Sequence, residues 1–435
     1  MTQRRGKVVL LSGSSLCHNP RVFKAAAALG RAGYDVQVLG AWLDPDLKAR
    51  DRHLLETVPF QFVPVLDCTR RGLRAATAHI VRRARRKAAN LLQATTGWES
   101  PHQLGLTVEA LRASVQNIAA DLFIAHSEPA MHVASTLMRR GKLVGVDMED
   151  WFSEDLLPPA RRGRPIQLLH SLERELLTRG AYASCPSRAM SEALANDYGG
   201  KPPIVIYNAF PLADRQAIDG ARKDRRNPAI ASICWYSQTL GPGRGIEDLM
   251  AALPLMHGEA ELHLRGRLVP GMQDWIESRI PDRWRQRVFF HALVTNEELL
   301  SRVAEHDIGF AGEIVNCRSR DLTVTNKIMH YVLGGLAVVA SNTAGQREVA
   351  AQASGAIELY QSGSPGALAA AFDTLLTSPA RLARAKAAAL QAAETAFCWE
   401  RQEGALLGGV AAALAAEPRC PQPGSGIRPA VARVR

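Results

Sequence analysis

A chain of 435 residues exceeds what one ordinary core organises, so two domains are expected. Apolar content of 47% with 22% charged residues fits a folded protein, and no run of 18 apolar residues offers a membrane-spanning helix. A net charge of +11 points to anionic partners such as nucleotide phosphates, nucleic acid or an anionic membrane face. The seven cysteines are scattered singly, with no CxxC and no metal-ligand spacing, which excludes a disulfide scaffold or zinc module and predicts reduced cytosolic thiols.

Near the start, basic residues precede a short apolar run of about five residues. This is too short for a secretory core and fits a first strand over residues 8–11. The small-residue loop 12–15 follows. Asn19 then caps a helix over 21–29, with Pro20 in its first turn. A second strand is predicted at 36–39. A β-loop-α-β opening implies a parallel, doubly wound sheet that binds ligand at the C-terminal ends of its strands. The glycines do not form GxGxxG, so this turn is no dinucleotide fingerprint. A third strand at 60–65 leads into a region with eight Lys or Arg and no acid between residues 70 and 87. Leu73, Ala76, Ile80, Ala84 and Leu91 fall near helical spacing there. Two readings stay open: a basic helix lying on an anionic membrane, or a solvated helix covering the sheet.

Strands at 122–125 and 143–146 end at His126-Ser127-Glu128 and at Asp147-Met148-Glu149-Asp150. Polar clusters at parallel strand ends sit where such a sheet places its site. A helix over 171–179, a strand over 182–186 and a Ser187-capped helix over 188–196 come next, then a strand over 204–207. Residues 214–227 are polar and read as a linker. The second half repeats the alternation, with strands at 230–235, 261–264, 288–290, 308–310 and 357–360. A turn-rich loop over 238–245 carries Arg244, a forked, permanently charged donor suited to a diphosphate, just before a helix over 246–253.

Residues 323–350 read as helix, turn, buried strand, loop. Met329, Val332 and Leu333 recur at helical spacing, Gly334-Gly335 stops the helix, and 336–340 is an apolar run for a fully buried strand. Asn326 and Lys327 sit at the helix start, where free N–H groups and the helix dipole favour an anion. An alanine-rich helix over 365–396 and a last helix from Trp399 to about residue 415 complete the fold. The Pro/Gly-rich, basic end is predicted disordered.

Across residues 7–410 the ordered segments resemble those of a retaining nucleotide-sugar glycosyltransferase of the GT-B fold, in the broad glycosyltransferase family 4. The segments are His18 to Lys24 (HNPRVFK), Val146 to Asp150, Ser187 to Met190, Tyr207-Asn208-Ala209, Gly243 to Ile246, Asn326-Lys327 with Tyr331 and Gly335, and Trp399-Glu400. The resemblance implies an α/β protein of two doubly wound, Rossmann-like domains facing across a cleft. It places an acceptor-side domain at 1–210, a nucleotide-sugar domain at 211–396, a crossover helix at 397–416 packing back on the first domain, and a disordered tail at 417–435. It implies sugar transfer, with retention, from a UDP-, GDP-, dTDP- or ADP-sugar to a glycan, lipid-linked or small-molecule acceptor. No metal or cofactor is expected, because fixed cations stabilise the departing diphosphate. Gly13 is expected near the donor phosphates, Arg244 and Lys327 on the diphosphate, and His126, Asp147 and Glu149 at the sugar and acceptor. Asn326, His330 and Tyr331 belong to the nucleotide side.

The sequence departs from the family pattern at four ligand-facing positions: His330 for a ribose-binding Glu, Thr239 for Arg, Gln238 for Gly, and Glu149 for His. These motivate an alternative, a non-catalytic nucleotide-sugar binder or scaffold of the same fold. A second alternative is an epimerase or hydrolase using Asp147, Glu149 and Asp150 as acid/base groups. Nucleic-acid binding is not expected, since the basic run lacks interleaved aromatics. Composition suggests a bacterial, GC-rich source, and the resemblance implies a part in polysaccharide biosynthesis in the cytoplasm; the basic residues 70–87 are the expected peripheral contact to the inner membrane face.

Overall fold

A computed structural model describes residues 5–70, 72–243 and 245–416. Arg244 and the predicted disordered tail at 417–435 lie outside the described residues.

Seven strands form the first sheet: β1 (Lys7–Leu11), β2 (Asp35–Trp42), β3 (Gln61–Asp67), β4 (Leu122–Ala125), β5 (Val144–Asp147), β6 (Tyr182–Cys185) and β7 (Ile204–Val205). Six form the second: β8 (Ala231–Leu240), β9 (Ala260–Leu268), β10 (Val288–His291), β11 (Ile308–Ala311), β12 (Ala337–Ser341) and β13 (Ile357–Tyr360). Their orders are β3-β2-β1-β4-β5-β6-β7 and β10-β9-β8-β11-β12-β13, parallel throughout. Each sheet therefore reverses its winding once, between β1 and β4 and between β8 and β11. Those two points open a crevice at the C-terminal strand ends. The apolar strands β1, β4, β11 and β12 are buried on both faces, as parallel strands covered by helices must be.

Local signals set several element ends. Asn19 Oδ1 accepts from the Val22 amide at 3.0 Å and starts the helix Pro20–Arg31. Ser187 Oγ accepts from the Met190 amide at 3.0 Å and starts Arg188–Tyr198. Gly335, with φ of 77°, ends the helix Asn326–Gly334.

The structure corrects four readings. β8 runs on through Gln238 and Thr239, which sequence placed in a loop. A bulge between Tyr236 and Thr239 keeps the pairing to Arg267 and lets Leu240 enter the core. The alanine-rich segment is two helices, Pro365–Leu376 and Pro379–Thr395, because Ser378 caps a new start with Pro379 in its first turn. The region after β12 is a helix, Ala344–Gln352, capped by Thr343. The polar segment before β8 is no free linker: Asp219 takes both carboxylate contacts from Arg302 at 2.7 Å, and Glu261 accepts from the Arg226 and Asn227 amides.

The last helix, Trp399–Ala415, returns to the first domain. Its Leu406, Val410 and Ala413 share a core with Val8, Leu10 and Tyr182. The domains also touch directly. Ser187 Oγ donates to Leu322 O at 2.5 Å, and the Arg188 and Ala189 amides donate to Glu348 at 2.9 and 2.8 Å. A carboxylate at that helix start complements the dipole.

Candidate functional site

A cleft of about 280 Å³ opens between the domains. Its first wall is the start of the helix Pro20–Arg31 together with Glu149 and Asp150. Its second wall is Thr323 to Asn326, and Asn208 lies between the two. The Asn208 side-chain amide donates to Asn326 Oδ1 at 2.6 Å, joining the walls.

The first wall holds a buried charge network. Arg21 grips Asp147 with two donors, Nε to Oδ2 at 2.6 Å and Nη2 to Oδ1 at 2.8 Å. Its third donor, Nη1, reaches Ile206 O at 2.5 Å. Asp147 also accepts from Ser184 Oγ at 2.9 Å. His126 Nδ1 lies 3.3 Å from Asp147 Oδ2 and 3.2 Å from Glu149 Oε1. Asn19 Nδ2 donates to both Glu149 oxygens at 2.8 and 2.9 Å. Strands β4 and β5 are adjacent, so His126 and Asp147 meet at the sheet edge where each strand ends.

Electrostatics follow from this geometry. Burial alone would lower the His126 pKa, but the hydrogen bonds and charges of Asp147 and Glu149 outweigh it and raise it to about 9. The imidazole is thus charged at neutral pH, with Nε2 buried and unpartnered among the described residues. Burial opposes ionisation of Asp147, yet Arg21 and His126 hold its carboxyl well below the usual range. Donor atoms of His126, Asp147 and Glu149 lie within 4.8 Å of one another, a spacing open to a metal ion. The donor set fits one poorly: Arg21 occupies both Asp147 oxygens, and His126 is a cation.

On the second wall Asn326 is exposed at its helix start, while Lys327 is buried. Lys327 Nζ pairs with Glu313 Oε1 at 3.0 Å, and Arg320 Nη1 approaches Glu313 Oε2 at 3.5 Å. Glu313 follows β11 at the second crevice. His330 lies one turn into the helix. Its ring stacks on Phe210 at 3.6 Å, and its Nδ1 bonds the Tyr236 hydroxyl at 2.6 Å. Burial and the charge of Lys24 push its pKa down to about 3, so it is neutral.

Of the expected site residues described, Glu149 and Asn326 line the cleft, while His126, Asp147, Lys327 and His330 stand behind that surface and Tyr331 and Gly13 point away from it. Tyr331 is fully buried against β8 and β11, packed edge-on to Tyr236 and over Gly309. Gly13 is buried beneath the helix Val108–Val115, where its φ of 67° and the nearby Thr107 hydroxyl demand glycine. The structure therefore brings together His126, Asp147 and Glu149 on one wall and Asn326 with Lys327 on the other.

Sequence reasoning gave no role to Arg21, Lys24 or Glu313. Lys24 is buried, donates to Asn208 Oδ1 at 2.9 Å and to Ala209 O, and lies over the Phe210 and Trp399 rings. Burial and the Arg21 charge lower its pKa to about 7. The available signal was cation spacing on one helix: Arg21 and Lys24 stand three apart on the face that turns inward.

No protein-family model matches the sequence, and no curated protein does. Solved structures do share the fold. HepE from Anabaena, in complex with UDP, is 17% identical, covers 93% of this chain and 99% of its own, and superposes with a TM-score of 0.63. Sucrose-phosphate synthase from Thermosynechococcus elongatus is 16% identical, covers 93% and 97%, and gives 0.65. A glycosyltransferase from Rickettsia africae is 11% identical, covers 94% and 98%, and gives 0.63. The arrangement is thus the two-domain GT-B fold over nearly the whole chain.

Proposed function

We propose that the protein is a glycosyltransferase that moves a sugar from a nucleotide-diphosphate donor to an acceptor hydroxyl with retention of configuration. The observation that carries this reading is one cleft with two unlike walls. A helix start with Asn326 at its surface and the buried Lys327–Glu313 pair behind it forms one wall, and Glu149, backed by the buried His126 and Asp147, forms the other. The neighbouring HepE has been solved with UDP and with UDP-glucose, which supports a nucleotide sugar as donor.

In this reading Lys327 and Arg244 neutralise the leaving diphosphate, and Glu313 orients Lys327. No metal is invoked, because preorganised cations stabilise the charge that develops as the diphosphate departs. His126 and Glu149 face the transferred sugar and acceptor. Asp147, locked by Arg21, positions His126 rather than exchanging protons, which disfavours an epimerase or hydrolase relying on its carboxylate. The protein is placed in the cytoplasm, at or near the inner membrane face, with a glycan, lipid-linked or small-molecule acceptor.

One observation favours the non-catalytic reading: His330 spends its Nδ1 on Tyr236 and its face on Phe210. A thermal-shift screen against UDP-, GDP-, dTDP- and ADP-sugars, with sugar release measured for any ligand that binds, separates the two. One nucleotide series should raise the melting temperature, since a hundredfold excess over Kd adds about 3 kcal/mol of stability by linkage. No stabiliser at millimolar concentration refutes the donor site. Stabilisation with no transfer to any acceptor supports the binder.

A further inference from the structure

The helix Leu73–Thr96 has 24 residues, yet Ala89 is its only buried side chain among the described residues. Beside Ala89, His79, Arg82 and Gln93 are half-buried. Gln93 donates to Arg164 O at 2.8 Å and accepts from Gln103 Nε2 at 2.5 Å. These four positions form the face turned toward the protein. At about 100° per residue, Ile80 and Leu91 fall on the opposite side of the helix. They are 64% and 67% exposed, and Val81 and Leu92 beside them are exposed as well. Just past the helix, Trp98 is 58% exposed. The apolar side of this helix therefore looks away from the protein, the reverse of a helix that covers a sheet.

The charge says what covers it. Residues 70–98 hold eight Lys or Arg and no Asp or Glu. Arg83 and Lys87 flank the stripe on one side and Arg85 on the other, all exposed. An apolar ridge between cationic flanks matches the acyl boundary and the phosphates of an anionic lipid surface. A second copy of the chain matches it badly, since two such faces bring like charges together. Nucleic acid would satisfy the cations but leave the ridge in water.

We propose that this helix lies in the plane of an anionic bilayer, with Ile80, Leu91 and Trp98 inserted and the flanking cations on lipid phosphates. The helix starts beyond the C-terminal end of β3. Its far end is tied through Gln93 to Arg164, which pairs with Glu128 two residues past His126. Docking thus brings the acceptor-side edge of the first sheet to the bilayer. That this edge meets a lipid-borne acceptor rests on the transferase reading; the docking itself does not.

The test is co-sedimentation of the full-length protein with vesicles of phosphatidylcholine alone, and of phosphatidylcholine with about one third phosphatidylglycerol. Wild type should bind the anionic vesicles. Ile80→Glu with Leu91→Glu should weaken that binding roughly tenfold or more while the melting temperature stays put, because both side chains are exposed. Arg83→Gln with Lys87→Gln should weaken it and flatten its salt dependence. Absence of binding to anionic vesicles overturns the proposal, as does wild-type binding by the Ile80/Leu91 variant. Dimerisation seen by sedimentation velocity and abolished in that variant, without lipid binding, replaces it with self-association. Tighter binding to duplex DNA than to vesicles replaces it with a nucleic-acid surface. None of these failures touches the donor screen, so the two readings fail separately.

Discussion

Replacing Arg21 with methionine should remove the keystone of the first wall. Arg21 and Asp147 side chains are each 5% exposed, and the pair is bidentate at 2.6 and 2.8 Å. Without the guanidinium, Asp147 is a buried carboxylate left with His126 and the Ser184 hydroxyl, and Ile206 O loses its donor. Breaking one side of such a pair typically costs 3–5 kcal/mol, and the surviving imidazolium argues for the lower end, about 3 kcal/mol. For a domain of this size that corresponds to a fall of roughly 6–12 °C in melting temperature. Scanning calorimetry on Arg21→Met, Asp147→Asn and the double variant measures it. The double variant should be less damaged than the sum of the singles by about 2 kcal/mol, since it buries neither charge unpaired. The acid limb carries a second signature. A depressed Asp147 pKa contributes stability present above the unfolded carboxyl value and lost as pH falls through the folded one. Without Arg21 that loss should move to higher pH. A fall below about 2 °C, or simple additivity in the cycle, refutes the reasoning.

Two further changes test other parts of the structure. The raised His126 pKa contributes stability that is fully present below about 6.5 and is lost as pH rises through about 9. Wild type should therefore lose roughly 3 kcal/mol relative to His126→Gln between those limits, and parallel melting curves across that window would rule it out. Gly309→Ala puts a Cβ 2.2 Å from the Tyr331 ring and should cost about 1–3 kcal/mol of stability, read by calorimetry; an unchanged melting temperature would mean the helix Asn326–Gly334 yields freely.

Much of the architecture was legible locally. Strands at 122–125 and 308–310 stand where their apolar runs put them, because a parallel strand buried on both faces must be apolar throughout. Asn19 and Ser187 announced their helices through cap chemistry that needs only three residues. His126 and the Asp147–Glu149 cluster were marked as strand-end polar groups, since sheet topology alone sends them to the crevice. The bulge in β8 was not readable, because a bulge exists only in the pairing with a partner strand, here β9, which the local sequence does not contain.

What the chain determined by itself is the alternation of strands and helices, and with it two parallel sheets whose strand ends must carry the polar clusters. What only tertiary structure decided is which of those polar groups meet. Arg21 and Asp147 are 126 residues apart and pair because β1 and β5 both flank β4. Tyr331 and Gly13 turn inward because neighbouring helices and strands claim their space. The basic helix shows the same division. Its period fixed that one face is apolar, while packing through Ala89 and Gln93 decided that this face looks outward. Periodicity records an angle around a helix axis. The direction in which that angle points is set by contacts distant in the chain.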